Sequence, residues 1–201
     1  MNVHSVSATT TAREERGDKR ERILEAALEC FAERGFHGTP VPDIAARAKV
    51  GAGTIYRYFE SKEALVNAVY RLWKQSLLDA VLRDFPASAP PRAQWRALFR
   101  GVVAFGKEHP LAFEFLESHH HAPYLDAQSR ELEERIMQMG RAFLEASRAS
   151  QVTRDCPSMI LVALVWGGVV RFVRSGHEGL LELDEATTDR FESLCWEALR
   201  A

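Results

Sequence analysis

Several things are scarce in this sequence, and each scarcity removes a class of protein. Only three cysteines occur in 201 residues, Cys30, Cys156 and Cys195. They are odd in number, far apart and without a C-x-x-C pair, which argues against a disulfide framework or a zinc site and suits a reducing cytoplasm. No apolar run reaches the ~18 residues of a membrane span. The longest candidate, "MILVALVWGGVVRFV" at 159–173, is shorter and carries Arg171. The N-terminus has no apolar stretch of the kind a secretory signal needs. Neither charge sign dominates: 26 Lys and Arg face 28 Asp and Glu, a net charge of −2. Strand-like alternation is missing throughout. So are G-x-G-x-x-G and G-x-x-x-x-G-K-[ST], which weakens any nucleotide-enzyme reading of "GAG" at 51–53.

What remains is a helical pattern over nearly the whole chain. Hydrophobic residues make up 46% and charged residues 27%, enough apolar material for a real core. Residues 1–17 read as a polar, disordered arm. In "DKRERILEAALECFAERG" the apolar positions Ile23, Leu24, Ala27, Leu28 and Phe31 form one helix face, with Asp18 and Glu21 as a capping pair and Gly35 as a C′ glycine. A short helix follows, with Thr39 as N-cap and Pro40 at its first position. After the turn "KVG" comes a third helix over about Ala52–Phe59. Ser61 caps a long helix whose inward stripe is Leu65, Val69, Leu72, Ser76 and Leu77, continuing to Ala80 and Val81. The proline-rich "FPASAPPR" at 85–92 is a loop. Five more helices are expected, near 93–108, 111–121, 126–149, 157–174 and 184–200. On the 126–149 helix Leu132, Ile136, Met139, Phe143 and Ser147 are in register. The fold class is all-α.

Two short helices joined by a tight turn, with a supporting helix before them, make a helix-turn-helix. Ile44, Ala45 and Ala48 can pack on Val50, Ile55 and Phe59. Ala52, Gly53, Tyr56 and Arg57 then face outward, with Thr54 and Tyr58 on a flank. Arg57 is long enough to read guanine O6 and N7 in the major groove. Thr54, Tyr56 and Tyr58 carry hydroxyls suited to phosphates, contacts that set register without reading bases. Gly51–Gly53 leave the helix start bare, so that backbone can approach a phosphate closely. The acidic total is no obstacle, because a DNA footprint is local. Over 47–62, Arg47, Lys49, Arg57 and Lys62 face only Glu60, a balance of +3.

The stretch from Arg20 to Val69 resembles the DNA-binding region of the TetR family, the tetracycline-repressor-like transcriptional regulators. The resemblance rests on "ILEAALECF", "ERGF-GT", "DIAARAKV", "GTIYRYF" and "SKEAL", in matching order and spacing. It implies that Ala52, Gly53, Thr54, Tyr56, Arg57, Tyr58 and Lys62 occupy positions that commonly touch DNA, and that Thr39 contacts phosphate. Lys49 departs from the family, which usually has glycine there. If that turn needs a positive φ, lysine costs roughly 1 kcal/mol. It either adds a phosphate contact or is a tolerated variant.

The resemblance further implies a helix-turn-helix domain over 18–62 and a helical effector-binding and dimerisation domain over 63–201. The expected partners are a double-stranded DNA operator, a small-molecule effector and a second copy of the chain, with no membrane, no cofactor and a cytoplasmic location. In the family the last two helices usually form the dimer interface. That assigns Ala163, Gly167 and Val170 of the apolar 157–174 helix, with Leu194, Trp196 and Leu199 of the last one. The alternative is an intrachain core helix. Gly167 and Gly168 suggest close backbone approach. An apolar effector pocket is assigned to Trp95, Phe99, Phe113, Leu116, His120, Met139, Phe143, Trp166 and Arg171. Arg171 needs Glu114 or Glu117 if buried, or an acidic ligand in their place. His119–His121 do not form a metal site, because consecutive helical residues point about 100° apart. Two rival readings stand beside the regulator: an enzyme using the His/Glu-rich stretch 109–126, and a dimeric interaction module without DNA binding.

Overall fold

The structure is a computed structural model that describes the backbone of residues 4–118, 121 and 123–201, and the side chains of 17–117, 121 and 123–201. Among these, nine helices follow one another with no strand: α1 (His4–Arg34), α2 (Val41–Arg47), α3 (Ala52–Tyr56), α4 (Lys62–Leu82), α5 (Pro91–Glu108), α6 (Pro110–Ser118), α7 (Ala127–Ala149), α8 (Ser158–His177) and α9 (Glu185–Leu199). α1 runs back to His4, through most of the stretch expected as a disordered arm over 1–17. No proline interrupts 4–34, and Gly17 alone costs a helix only about 1 kcal/mol. Asp18 therefore sits mid-helix, 3.7 Å from Arg22.

The five-residue stripe read from α1 is wholly buried, and Cys30 and Ala26 widen it. Gly35 ends the helix at φ 66, where its N–H bonds Phe31 O at 2.9 Å, a left-handed close that glycine makes without strain. Ser61 caps α4 by accepting from Ala64 N–H at 3.1 Å. Asp126 and Asp184 cap α7 and α9 in the same way.

On α4 the buried stripe is Leu65, Val66, Val69, Tyr70 and Leu77, while Leu72 faces outward. Leu77 is buried and Ala80 and Val81 pack partly on the core as expected, so the departure from the expected stripe is at Leu72, whose place Tyr70 takes. Met139 is likewise exposed on α7, where Ser129, Leu132, Leu144 and Ser147 are the buried positions. α4 and α5 cross closely at Gly101, where an added Cβ would lie 2.8 Å from Val81 Cα. Phe172 of α8 stacks on Phe191 of α9, ring centroids 4.4 Å apart and nearly parallel, with Phe99 of α5 beside both. Three arginines one turn apart on α5 complete that seam: Arg92 pairs with buried Glu192, Arg96 with Asp189, and Arg100 with Asp189 and Glu185.

Candidate nucleic-acid interface

α2 is pinned to α1 from both ends. Arg34 donates to Asp43 at 2.6 Å, and Arg47 forms a two-pronged pair with Glu33 at 2.8 and 3.0 Å. The bond from Arg47 holds the Glu33 carboxyl below its ordinary range. Arg47 is thus a strut between helices, and the +3 counted locally overstates the charge available to a ligand.

The turn into α3 needs a left-handed residue, and Lys49 supplies it at φ 56. Its side chain is exposed. Val50 N–H then bonds Ala45 O at 3.0 Å, which locks the α2–α3 angle. Ile55 and Phe59 are buried beneath α3, against the cluster that holds Ile44 and Ala45. With those two anchored, Ala52, Gly53, Tyr56 and Arg57 point outward, and Tyr56 keeps 54% of its surface exposed. A Cβ at Gly53 would meet nothing within 4 Å, so that position is open. Thr54 and Tyr58 are half-buried, with Tyr58 packed partly on the core.

One expected contact needs correction, and a second side chain is also engaged within the chain. Thr39 is fully buried, and its hydroxyl faces the carbonyls of Cys30 and Gly35 at 2.9 and 2.8 Å. It closes the end of α1 and cannot reach a phosphate. Pro40, with extended backbone, takes the N-cap position instead. Lys62 is half-buried with its ammonium 4.4 Å from the Phe36 ring centroid. Burial lowers its pKa from the usual lysine value, against the pull of Glu63. Phe36 was not singled out from sequence; an aromatic residue just past a C′ glycine was the available signal. Phe36 also stacks on Tyr124 at 4.5 Å, which joins the helix-turn-helix to the segment between α6 and α7.

The expected effector residues do not converge on one opening. Trp95, Phe99, Phe113 and Leu116 are core, Phe143 and Trp166 are half-buried, and Met139 is exposed. Arg171 is an exposed residue paired with Glu178 at 3.0 Å, while Arg174 is the one that meets Glu114. His119 and His120 lie outside the described residues. His121 is buried with both nitrogens engaged. A carbonyl only accepts, so Nε2–H donates to Phe115 O at 2.7 Å, and Nδ1 shares a hydrogen bond with Tyr124 Oη at 2.6 Å. An open cleft of about 670 Å³ lies elsewhere, between α1, α4 and α7, lined by Arg20, Leu24, Leu72, Leu132 and Arg135 among others.

The expected dimer residues divide. Ala163 and Gly167 are exposed on α8 beside Ile160 and Leu164, and Leu194 is exposed on α9. Val170 is half-buried. Trp196 and Leu199 are corrected to core anchors, because they are buried within the chain itself. A Cβ added at Gly168 would meet Phe191 at 3.4 Å, whereas one at Gly167 would meet nothing within 4 Å. α8 is also, by length and hydropathy alone, apolar enough to cross a bilayer. Leu161, Val165, Val169, Phe172 and Val173 tie its other face into the core.

A helix-turn-helix with a bare outward face, carried on a six-helix bundle, defines a DNA-binding transcriptional regulator with a separate sensing part. Comparison with known families places it further. Residues 23–69 match the model for bacterial regulatory proteins of the tetR family, and residues 72–201 match a tetracyclin repressor-like C-terminal domain. The chain belongs to the TetR family. It is 27% identical to the HTH-type transcriptional repressor DhaR of Mycobacterium sp. (strain GP1) over 191 residues, 90% of this chain and 91% of that one. It is 37% identical to the HTH-type transcriptional regulator RutR of Escherichia coli (strain K12) over 97 residues, covering 47% and 44% of the two. A TetR-family regulator structure from Marinobacter aquaeolei VT8 superposes with a TM-score of 0.82 at 23% identity, covering 94% and 98%.

Proposed function

We propose that the chain is a cytoplasmic homodimeric repressor that leaves a near-palindromic operator when a small, largely apolar effector binds its C-terminal region. The observation that carries the DNA half is the arrangement of α3: Ile55 and Phe59 hold it down while Gly53, Tyr56 and Arg57 stand clear. In this reading Arg57 reads a base edge, and Tyr56, Tyr58, Thr54 and Lys49 hold phosphates. Lys62 acts mainly through its seat on Phe36. Residues 18–62 form the DNA-binding unit and 63–201 the sensing and dimerisation unit.

The dimer half of the proposal is supported by the apolar strip Met159, Ile160, Ala163, Leu164 and Gly167 on α8, with Leu194 of α9. A two-fold interface places the same strip on itself. Two copies then present two α3 helices to successive major grooves. An effector releases DNA only by binding the DNA-competent and incompetent arrangements differently. The Phe36–Tyr124 stack is the contact through which such a difference would reach α3. Footprinting on DNA flanking the chain's own gene tests the proposal. Protection of a two-fold symmetric site, weakening steeply with salt, is the expected result. Uniform binding to all fragments would count against it.

A further inference from the structure

Four helices bring a small ionic cluster into the interior of the C-terminal bundle. Tyr70 and Lys74 lie one turn apart on α4, Glu117 on α6, Glu133 on α7 and Trp166 on α8. The Lys74 and Glu117 side chains are only 13% and 10% exposed. Trp166 donates its indole N–H to Glu117 Oε2 at 2.8 Å. Glu117 Oε1 is sealed from solvent and accepts no hydrogen bond among the described residues. Lys74 Nζ stands 3.9 Å from it, close enough for charge attraction but too far to donate.

A buried carboxylate oxygen is seldom left without a donor, because it has given up its water for nothing. The local charge points to what such a donor would be. Two carboxylates, Glu117 and Glu133, outnumber one ammonium, Lys74. Tyr70, wholly buried, has its pKa driven well up by burial and by the charges of Glu133 and Glu117. Its hydroxyl is held protonated toward Glu133 and repels no cation. The Lys74 ammonium already lies 5.9 Å from the Tyr70 ring centroid, an aromatic face that favours positive charge.

We infer that Glu117 is the recognition group for the effector, and that the effector is a small organic cation, a protonated amine on an apolar or aromatic body. Its N–H donates to Glu117 Oε1, while Trp166 fixes the other oxygen and so aims the carboxylate. This rests on the ligand-responsive reading above and gives the effector its chemical class.

The test uses the full chain without DNA, titrated calorimetrically with benzylamine, phenethylamine and hexylamine, and with benzoate as the anionic counterpart. At least one amine is expected to bind, benzoate is not, and Glu117→Gln is expected to weaken the amine at least tenfold. Glu117→Gln keeps the shape of the side chain, and a helical circular dichroism spectrum and cooperative thermal unfolding like the parent's would show that it is folded. No binding by any amine at millimolar concentration, equal binding by benzoate, or equal amine affinity in the folded variant would overturn the inference. Because binding is read without DNA, its failure is separable from failure of the repressor proposal. That one is tested by whether an amine that binds also releases operator.

Discussion

Two outward faces of this chain are chemical opposites. On α3 the exposed positions are Gly53, Tyr56 and Arg57, small or capable of hydrogen bonds. On the N-terminal half of α8 they include Ile160, Ala163, Leu164 and Gly167, with nothing to offer water or phosphate. Both helices bury β-branched and aromatic residues on the other side, Ile55 with nearby Phe59 in one case and Val165, Val169 and Phe172 in the other. The inward residues set where each helix sits; the outward residues decide what it meets. A charged polymer suits the first face and another apolar surface suits the second.

Charge placed on the α8 face should disturb the molecule most. Ile160→Glu combined with Leu164→Glu puts charge on a strip proposed to meet its own copy. Each apolar side chain buried there contributes about 1.5–3 kcal/mol, counted twice across a two-fold. Sedimentation velocity should show a dimer turned into a folded monomer. The α3 side is tested next by Phe59→Ala, which removes the anchor and leaves the outward face untouched. It should cost about 3–5 kcal/mol of stability in denaturant unfolding and lose DNA binding with it.

Smaller changes sharpen the contrast at the seam and the turn. Asp126 caps α7 through Ser129 N–H at 2.8 Å and takes Arg71 from α4 at 2.6 Å. Burial pulls its pKa up, but the Arg71 and Ser129 bonds outweigh that and leave it below its ordinary 3.8. Its contribution is therefore present above about pH 3.8 and is lost as pH falls through the lower folded value. Asp126→Ala should cost about 1 kcal/mol near neutrality, and the gap from the parent should close in acid. Lys49→Gly should change stability by less than about 1 kcal/mol, since relief of the left-handed strain is offset by glycine's added unfolded-state freedom. If Lys49 holds a phosphate, the same change lowers the salt slope of DNA binding by roughly one.

How much of this was legible in the sequence follows the same division. Over α1–α3 the inward stripe, Gly35, the left-handed demand at Lys49 and the outward set on α3 were all readable, because short-range spacing fixes them. Thr39 was misread because its hydroxyl turns back onto α1, and Arg47 because Glu33 is fourteen residues away on another helix. In the C-terminal bundle such distant partners decide nearly everything. Arg171 found Glu178 rather than Glu114, and Trp196 and Leu199 went to the core. The Lys74–Glu117–Trp166 cluster joins three helices that no local pattern relates.

Whether α3 reads DNA through Arg57 is decided most directly by the affinity of Arg57→Ala for the footprinted operator and for random DNA, at several salt concentrations. The expected result is a loss of about 1–3 kcal/mol on the operator, relaxed preference at one base pair in each half-site, and little change on random DNA. An equal loss on both DNAs, with preference unchanged, would contradict it and leave Arg57 a phosphate contact.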